Sequence, residues 1–220
     1  MSLLRYEVRA APTTPLLTGV TLALAVTLAP VLSGVELEPG VGVTLLRIAT
    51  VAVIGGLVFI QDDQAATGTE VSPLSRWQRR ALRGGLGLAV AAFVWSSCAG
   101  VLGWVVRTRT GGYLPVQDVA VEACSLAVAC TALVIVGLRR SEGTAAGVVA
   151  APGLMIIVLV LVALPDTAAF YVDPSSGAWE AAQYRWRWFG LVSCVVCAMQ
   201  VLQGRRKSRT RSGAPVRNFT

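Results

Sequence analysis

Two charged residues of opposite sign lie inside apolar stretches of this sequence. Arg47 is the single charge in the apolar run 41–60, and Glu122 interrupts the apolar run 119–138. A charged side chain at membrane depth is costly and usually has a partner, so we expect the two residues to form an ion pair. The alternative is that Arg47, about 9 Å into its run at 1.5 Å per residue, reaches the lipid headgroups instead.

Other reactive side chains are scarce. The sequence has no histidine, which excludes imidazole acid-base catalysis, most metal sites and Ser-His or Cys-His dyads. The 5 cysteines are an odd number and lie in apolar runs, so we interpret them as small buried side chains. Cys194 and Cys197 have the spacing of a redox or metal motif but no ligands nearby. We predict no catalytic, cofactor-binding or metal-binding residue on this chain.

The most polar stretch before the carboxyl-terminal tail is 61–84, QDDQAATGTEVSPLSRWQRRALRG. Ser72 followed by Pro73 is typical of a helix start, with serine as N-cap and proline in the first turn. Beyond it, arginines and apolar residues fall on different faces at spacings of three and four, which predicts a short amphipathic helix in the headgroup plane. Such a helix either anchors the next span or docks a cytoplasmic partner, and composition alone favours the anchor.

The composition indicates a membrane protein. Of the 220 residues, 55% are hydrophobic and 14% are charged, against about 25% charged in soluble domains. The net charge of +7 is not gathered into a continuous basic face, because apolar runs separate the basic residues. We therefore expect membrane lipids, and no nucleic acid, as partners.

Six apolar windows are long enough to cross about 30 Å of hydrocarbon as helices. They are 16–35, 41–60, 85–106, 119–138, 145–164 and 186–203. The sequence therefore predicts an all-α polytopic protein with a six-helix transmembrane domain, 16–203. The first window exceeds a signal-peptide core of about 7 to 15 residues, so we expect a retained span after a cytoplasmic segment, 1–15. The basic tail, 204–220, is expected to be disordered and cytoplasmic.

Arginine placement predicts the orientation. Most basic residues lie in the tail, in 76–83, at 139–140 and in 1–15, which an even number of spans places on one side. The opposite side holds only Arg107, Arg109, Arg185 and Arg187. Because positive loops stay inside, both termini are expected in the cytoplasm of a multi-pass plasma membrane protein.

The 61–84 segment resembles the signature loop of six-span permease subunits of bacterial ABC transporters, especially those of high-GC Gram-positive bacteria. The similarity rests on two aspartates, a spacer of small residues, a Ser-Pro pair and a cluster of arginines. It extends to Tyr113 and Pro115 before the fourth span and to the position of Glu122. The resemblance also implies that the amino-terminal segment, 1–15, is amphipathic. One departure is Gln64, where such loops commonly have proline after the second aspartate.

The resemblance implies an exporter made of two permease subunits, identical or different, on two cytoplasmic ATP-binding cassette subunits. In this family a coupling helix in the loop between spans two and three transmits the motion of the ATPase. This chain has no Gly-x-x-x-x-Gly-Lys-[Ser/Thr] loop, so it is not expected to be an enzyme by itself, and ATP and Mg²⁺ would bind the partner. The resemblance makes the following residues the coupling set: Asp62, Asp63, Pro73, Ser75, Arg76, Trp77, Arg79, Arg80 and Arg83.

The alternative function is that of a non-transporting accessory or assembly subunit, which would use the same loop only to hold a cytoplasmic partner.

The predicted outer segment, 165–185, is long for a bundle connection and rich in acidic and aromatic residues, so we expect an extracellular cap. Its aromatic residues, with Trp186 and Trp188, are interpreted as an interfacial belt.

Overall fold

A computed structural model describes residues 13–61, 76–140 and 146–211. In these ranges the chain is helical and contains no strand, which confirms the all-α fold class. Short 3₁₀ helices occur at Phe59–Gln61 and Asp166–Ala168. The long helices are α1 (Thr13–Ser33), α2 (Pro39–Val58), α3 (Arg76–Thr110), α4 (Val116–Arg140), α5 (Ala146–Ala163) and α6 (Trp179–Arg211).

Within the described ranges, 5 helical segments are long and apolar enough to cross a membrane: α1, α2, Leu82–Thr110 of α3, Val116–Arg139 of α4, and α5. They correspond to the first five predicted spans, and they indicate a multi-pass membrane protein. The sixth predicted span, 186–203, lies within α6, which is not among the 5.

Two of the connections between helices, 34–38 and 111–115, are short because the sequence supplies helix stops and starts. Gly34 ends α1 and Gly111 ends α3, both with positive φ (71° and 65°), a conformation that glycine adopts without a Cβ clash. Pro39 begins α2, where its fixed φ suits the first turn and its missing N–H costs nothing. These two connections and the longer one, 164–178, lie at the same end of the bundle, here called the Glu122 end.

Helix α3 differs from the sequence prediction at its start. It has 35 residues and runs from Arg76 to Thr110 without a break, so there is no separate in-plane helix from Arg76 onward. No proline follows Pro73 before Thr110, and glycines such as Gly84 keep their backbone hydrogen bonds in a helix at a cost of about 1 kcal/mol each. At 1.5 Å per residue α3 is about 52 Å long, well beyond the hydrocarbon thickness.

Helix α2 is the centre of the bundle and packs against α1, α3, α4 and α5. One core cluster joins α1, α2 and α3 around residues such as Leu46 and Leu102. A second cluster joins the end of α2 to α4, α5 and α6 around residues such as Leu154 and Trp186. Because α2 contributes to both clusters, it links the two halves of the bundle.

Helices α4 and α6 pack in parallel with a constant register. Side chains of α4 meet α6 at positions exactly 61 residues later at both ends of the interface, from Asp118 with Trp179 to Arg139 with Gln200. Between them, Glu122 meets Gln183 and Ser125 meets the carbonyl of Trp186 at the same separation of 61. The two helices therefore run side by side in the same direction.

Candidate functional site

The structure brings Arg47 and Glu122 together in a two-point ion pair. Arg47 Nε donates to Glu122 Oε2 at 2.7 Å, and Arg47 Nη2 donates to Glu122 Oε1 at 2.8 Å. The side chain of Glu122 is 2% exposed and that of Arg47 is 12% exposed. Arg47 therefore does not extend to the headgroups as an isolated charge, and parallel hydrogen bonds of this kind fix the relative position of α2 and α4.

The remaining surface of the Arg47 guanidinium is enclosed. Its Nη1 donates to the carbonyl oxygen of Val172 at 3.0 Å. The rings of Tyr171 and Trp179 lie 5.1 and 5.6 Å from Arg47 Cζ, within the range of cation-π contacts. The pair thus links α2 and α4 to the 164–178 segment and to the start of α6.

Two polar residues that the sequence analysis did not single out complete this network. Gln183 Nε2 donates to Glu122 Oε1 at 2.8 Å, so the carboxylate has donors on both α2 and α6. Asp118 accepts from the Trp179 indole N–H at 3.1 Å, which holds the ring beside Arg47. Sequence periodicity could not have identified either residue, because their roles depend on how α4 and α6 are aligned with each other.

Tyr171, whose ring lies against Arg47, also has a titratable hydroxyl. Burial and, to a smaller extent, the negative charge of Glu122 raise the pKa of the Tyr171 hydroxyl to about 12, with Arg47 opposing both. This hydroxyl is buried and has no hydrogen-bond partner in the described part of the chain. Tyr171 therefore stays neutral and acts on Arg47 through its ring.

Trp186 does not belong to an interfacial belt. It is 0% exposed and lies at the centre of an edge-to-face cluster with Phe170, Tyr171 and Phe189, at centroid distances of 5.1, 5.5 and 5.7 Å. Its indole N–H donates to the carbonyl of Phe170 at 3.0 Å. The prediction was wrong for this residue because α4 and α5 cover its face of α6, whereas Trp188 is exposed as a belt residue would be.

The connection from α5 to α6 is shorter than the predicted cap, 165–185. Helix α6 begins at Trp179, so 179–185 are helical and the irregular connection is 164–178. Helix α6 starts early because Ser176 accepts the N–H of Trp179 and the indole is held by Asp118. Arg185 then anchors the segment, donating to the carbonyls of Ala169 at 2.6 Å and Thr167 at 2.8 Å.

Arg109 at the end of α3 caps the carboxyl end of α1. Its Nη1 donates to the carbonyls of Pro30 at 3.2 Å and Val35 at 2.9 Å, and its Nη2 donates to that of Val31 at 3.0 Å. The last carbonyls of a helix lack intrahelical partners and carry partial negative charge, so a guanidinium suits this position. Sequence analysis counted Arg109 only for orientation.

A groove of about 830 Å³ runs along α2 between α1 and α5. It forms because α1 and α5 both pack on α2 but make few contacts with each other. Apolar side chains such as Ile48, Val51 and Met155 make up most of its lining. Its two charged groups, Arg47 and Asp173, lie toward the Glu122 end, as does Thr44, whereas Thr18 lies toward the other end.

Much of the predicted coupling set lies outside the described part of the chain. Asp62, Asp63, Pro73 and Ser75 lie outside the described residues. The backbone of Arg76, Trp77, Arg79 and Arg80 forms the first turns of α3, and their side chains lie outside the description. Arg83 is described and is buried within the bundle.

The cysteines differ from one another. Cys98 and Cys130 are buried as predicted, and the Cys98 sulfur accepts from the hydroxyl of Thr27 at 3.6 Å. Cys124 and Cys194 are exposed, so the interpretation of all five as buried side chains was wrong for these two. They lie on faces of α4 and α6 that no other described helix covers.

Comparison with models of protein families, with curated proteins and with solved structures finds no match to this chain.

Proposed function

We propose that this chain is the transmembrane permease subunit of an ATP-driven ABC exporter in the plasma membrane. A separate cytoplasmic ATPase would drive it through the segment 61–84. The observation that carries the proposal is helix α3. It begins inside the basic coupling segment at Arg76 and continues without interruption to Thr110, at the opposite end of the bundle.

An unbroken helix transmits displacement along its whole length. The first turns of α3 contain Arg76, Arg79 and Arg80, and they precede the uncharged apolar run that begins at Gly85. At its other end, Arg109 is bonded to the last turn of α1. A displacement of the first turns of α3 would therefore be transmitted through Arg109 to α1, which forms one wall of the groove.

The proposal includes a sixth span within α6 and cytoplasmic termini. The constant α4–α6 register supports the sixth span, because residues 179–200 of α6 lie beside 118–139 of α4, which is itself a candidate span. The arginine distribution supports the orientation, with the Glu122 end outside. The second permease subunit, identical or different, would face the groove side of the bundle.

The groove favours a conduit over an accessory subunit. A protein that only holds a cytoplasmic partner has no need of a cavity of about 830 Å³ at membrane depth. Pockets of about 300–1,000 Å³ are typical of small-molecule sites. We therefore propose that the substrate binds in this groove, which opens alternately to the two sides of the membrane, and that the ATPase contacts 61–84.

Purification of the tagged full-length chain from its native membrane tests the proposal. We expect a stoichiometric ATPase to copurify and the complex to hydrolyse ATP. Changing Arg79 and Arg80 together to glutamate should abolish association or hydrolysis, because an acidic contact surface on the partner would then be repelled. The matched control is the same change at Arg205 and Arg206 in the tail.

Three outcomes would contradict the proposal: no ATPase in the preparation, equal loss in the control variant, or labelling of cysteines introduced in 61–75 from outside the cell. An ATPase that copurifies without any transport by reconstituted vesicles would instead assign the accessory function.

A further inference from the structure

The groove over α2 has one charged end, and its uncompensated charge is negative. Arg47 lines this end, but three of its nitrogens donate to Glu122 and to the Val172 carbonyl. Glu122 balances the positive charge of Arg47 from the side away from the groove. The charge that remains at the groove is the exposed carboxylate of Asp173.

The carboxylate of Asp173 is held in place by its own segment. Its Oδ1 accepts from the backbone N–H of Ser175 at 2.8 Å and from the Ser175 hydroxyl at 2.5 Å. These hydrogen bonds, with a smaller contribution from Arg47, lower the pKa of Asp173, so the group is ionised at neutral pH. Its Oδ2 lies against Gly40, where any Cβ would collide with it. Glycine at this position therefore lets the carboxylate reach the groove.

The rest of the groove matches an apolar body. From Gly40 to Phe59 it follows α2 for about 28 Å at 1.5 Å per residue, which is close to the hydrocarbon thickness. Its walls are mainly apolar side chains of α1 and α5, and Gly55 leaves open space in the part of the groove away from Asp173. An elongated apolar molecule would fill it along the membrane normal.

We propose that this groove binds a cationic amphiphile, with an apolar body along α2 and one positive group beside Asp173. An anionic amphiphile would be repelled by the same carboxylate and would find Arg47 already paired with Glu122. The inference rests on the proposed function in one respect, that the ligand is the exported substrate. Binding itself needs no ATPase.

The binding test uses the full chain in phosphatidylcholine nanodiscs. The probe is tetradecyltrimethylammonium carrying a photoreactive diazirine in mid-chain, and the labelled residues are located by mass spectrometry. We expect labelling of α2 and α5 in the groove, near Ile48 and Met155. Unlabelled tetradecyltrimethylammonium should suppress it, and tetradecyl sulfate should not. Equal suppression by the sulfate, or labelling confined to other faces, would overturn the proposal.

Two variants with matched controls locate the ligand. Gly55→Phe places a ring in the open space of the groove, and we expect labelling to fall about tenfold. Its control is Gly103→Phe, a second open position outside the groove lining. Asp173→Asn keeps an acceptor for Ser175 but removes the charge, and binding should weaken about threefold or more. Its control is Glu180→Gln, a nearby exposed acid outside the lining.

Each result of these variants is decisive. Unchanged labelling in Asp173→Asn overturns the role of charge, and it does so even if Gly55→Phe fails to fold. Equal effects in a variant and its control also count against the site, as does exclusion of the probe by a second copy of the chain bound over the groove. Binding of the probe without any copurifying ATPase would contradict the proposed function and leave this inference standing. An active complex that does not bind the probe would contradict this inference and leave the proposed function standing.

Discussion

Replacing Arg47 with methionine should strongly destabilise the bundle. The change leaves the carboxylate of Glu122, which is 2% exposed, without its two bonds to Arg47. Removing one partner of a buried ion pair costs about 3–5 kcal/mol. Gln183 would still donate to Glu122, so we expect a value near the lower end. At about 2–4 °C per kcal/mol for a chain of this size, the melting temperature should fall by about 6–12 °C.

Adding Glu122→Leu to Arg47→Met should recover much of this loss. The double variant removes the uncompensated charge, and buried ion pairs are often replaced by apolar side chains at little cost. Recovery should be incomplete because Gln183 and the Val172 carbonyl lose a partner. Exchanging the two charges should recover less than the apolar double variant, since the rings of Tyr171 and Trp179 favour a cation at position 47.

Thermal unfolding in one uncharged detergent, followed by tryptophan fluorescence, measures all of these variants. The control is Arg107→Met, which removes an exposed arginine at the same end of the bundle and should change the melting temperature little. The reasoning is refuted if Arg47→Met melts with the control. It is also refuted if the double variant is no more stable than the less stable single variant, because the two residues would then not be coupled.

Three further predictions follow from other contacts. Arg109→Met should destabilise the folded protein by about 1–3 kcal/mol, because carbonyls at the end of α1 lose their hydrogen-bond donor. Hydrogen exchange of the backbone amides in 30–35 should become faster. Unchanged exchange there would contradict the capping role of Arg109. Gly56→Leu should lower the melting temperature, because a Cβ would lie 2.7 Å from the carbonyl of Pro15, whereas Gly55→Leu should not, and equal effects would exclude the close α1–α2 approach. The pKa of Asp173 is lowered in the folded state. The ionised carboxylate therefore stabilises the 173–176 segment above its unfolded pKa of about 4, and this stabilisation is lost as the pH falls through the lowered value. Hydrogen exchange in 173–176 should accelerate on acidification, and exchange that does not accelerate would contradict this sign.

The sequence predicted the helical class and the positions of the membrane helices closely. The apolar windows 41–60 and 145–164 correspond to α2 and α5 within two residues at each end. This works because a helix in lipid must satisfy its own backbone and present about 20 apolar residues, which is a property of a linear stretch. The opposite charges at Arg47 and Glu122 were likewise visible in one dimension, since each stood out from its apolar surroundings.

The packing of α6 was not predictable in this way. Trp186 and Trp188 have the same local environment in the sequence, yet one is fully buried and the other is exposed. Gln183 and Asp118 gave no signal, because their roles depend on the register between two helices that are 61 residues apart in the chain. Hydropathy determines whether a helix enters the membrane but not which of its faces meets another helix.

The amino-acid sequence by itself determined which segments are membrane helices, how charge is divided between their ends, and that the charges of two spans needed partners. Only the tertiary structure decided that α1 and α5 stay apart over α2, that Gly40 admits the carboxylate of Asp173 to the groove, and that Glu122 is shared by Arg47 and Gln183. The physical reason is range. Backbone hydrogen bonding and transfer to lipid act within one segment, whereas close packing and ion pairing depend on side chains that meet only when the helices assemble.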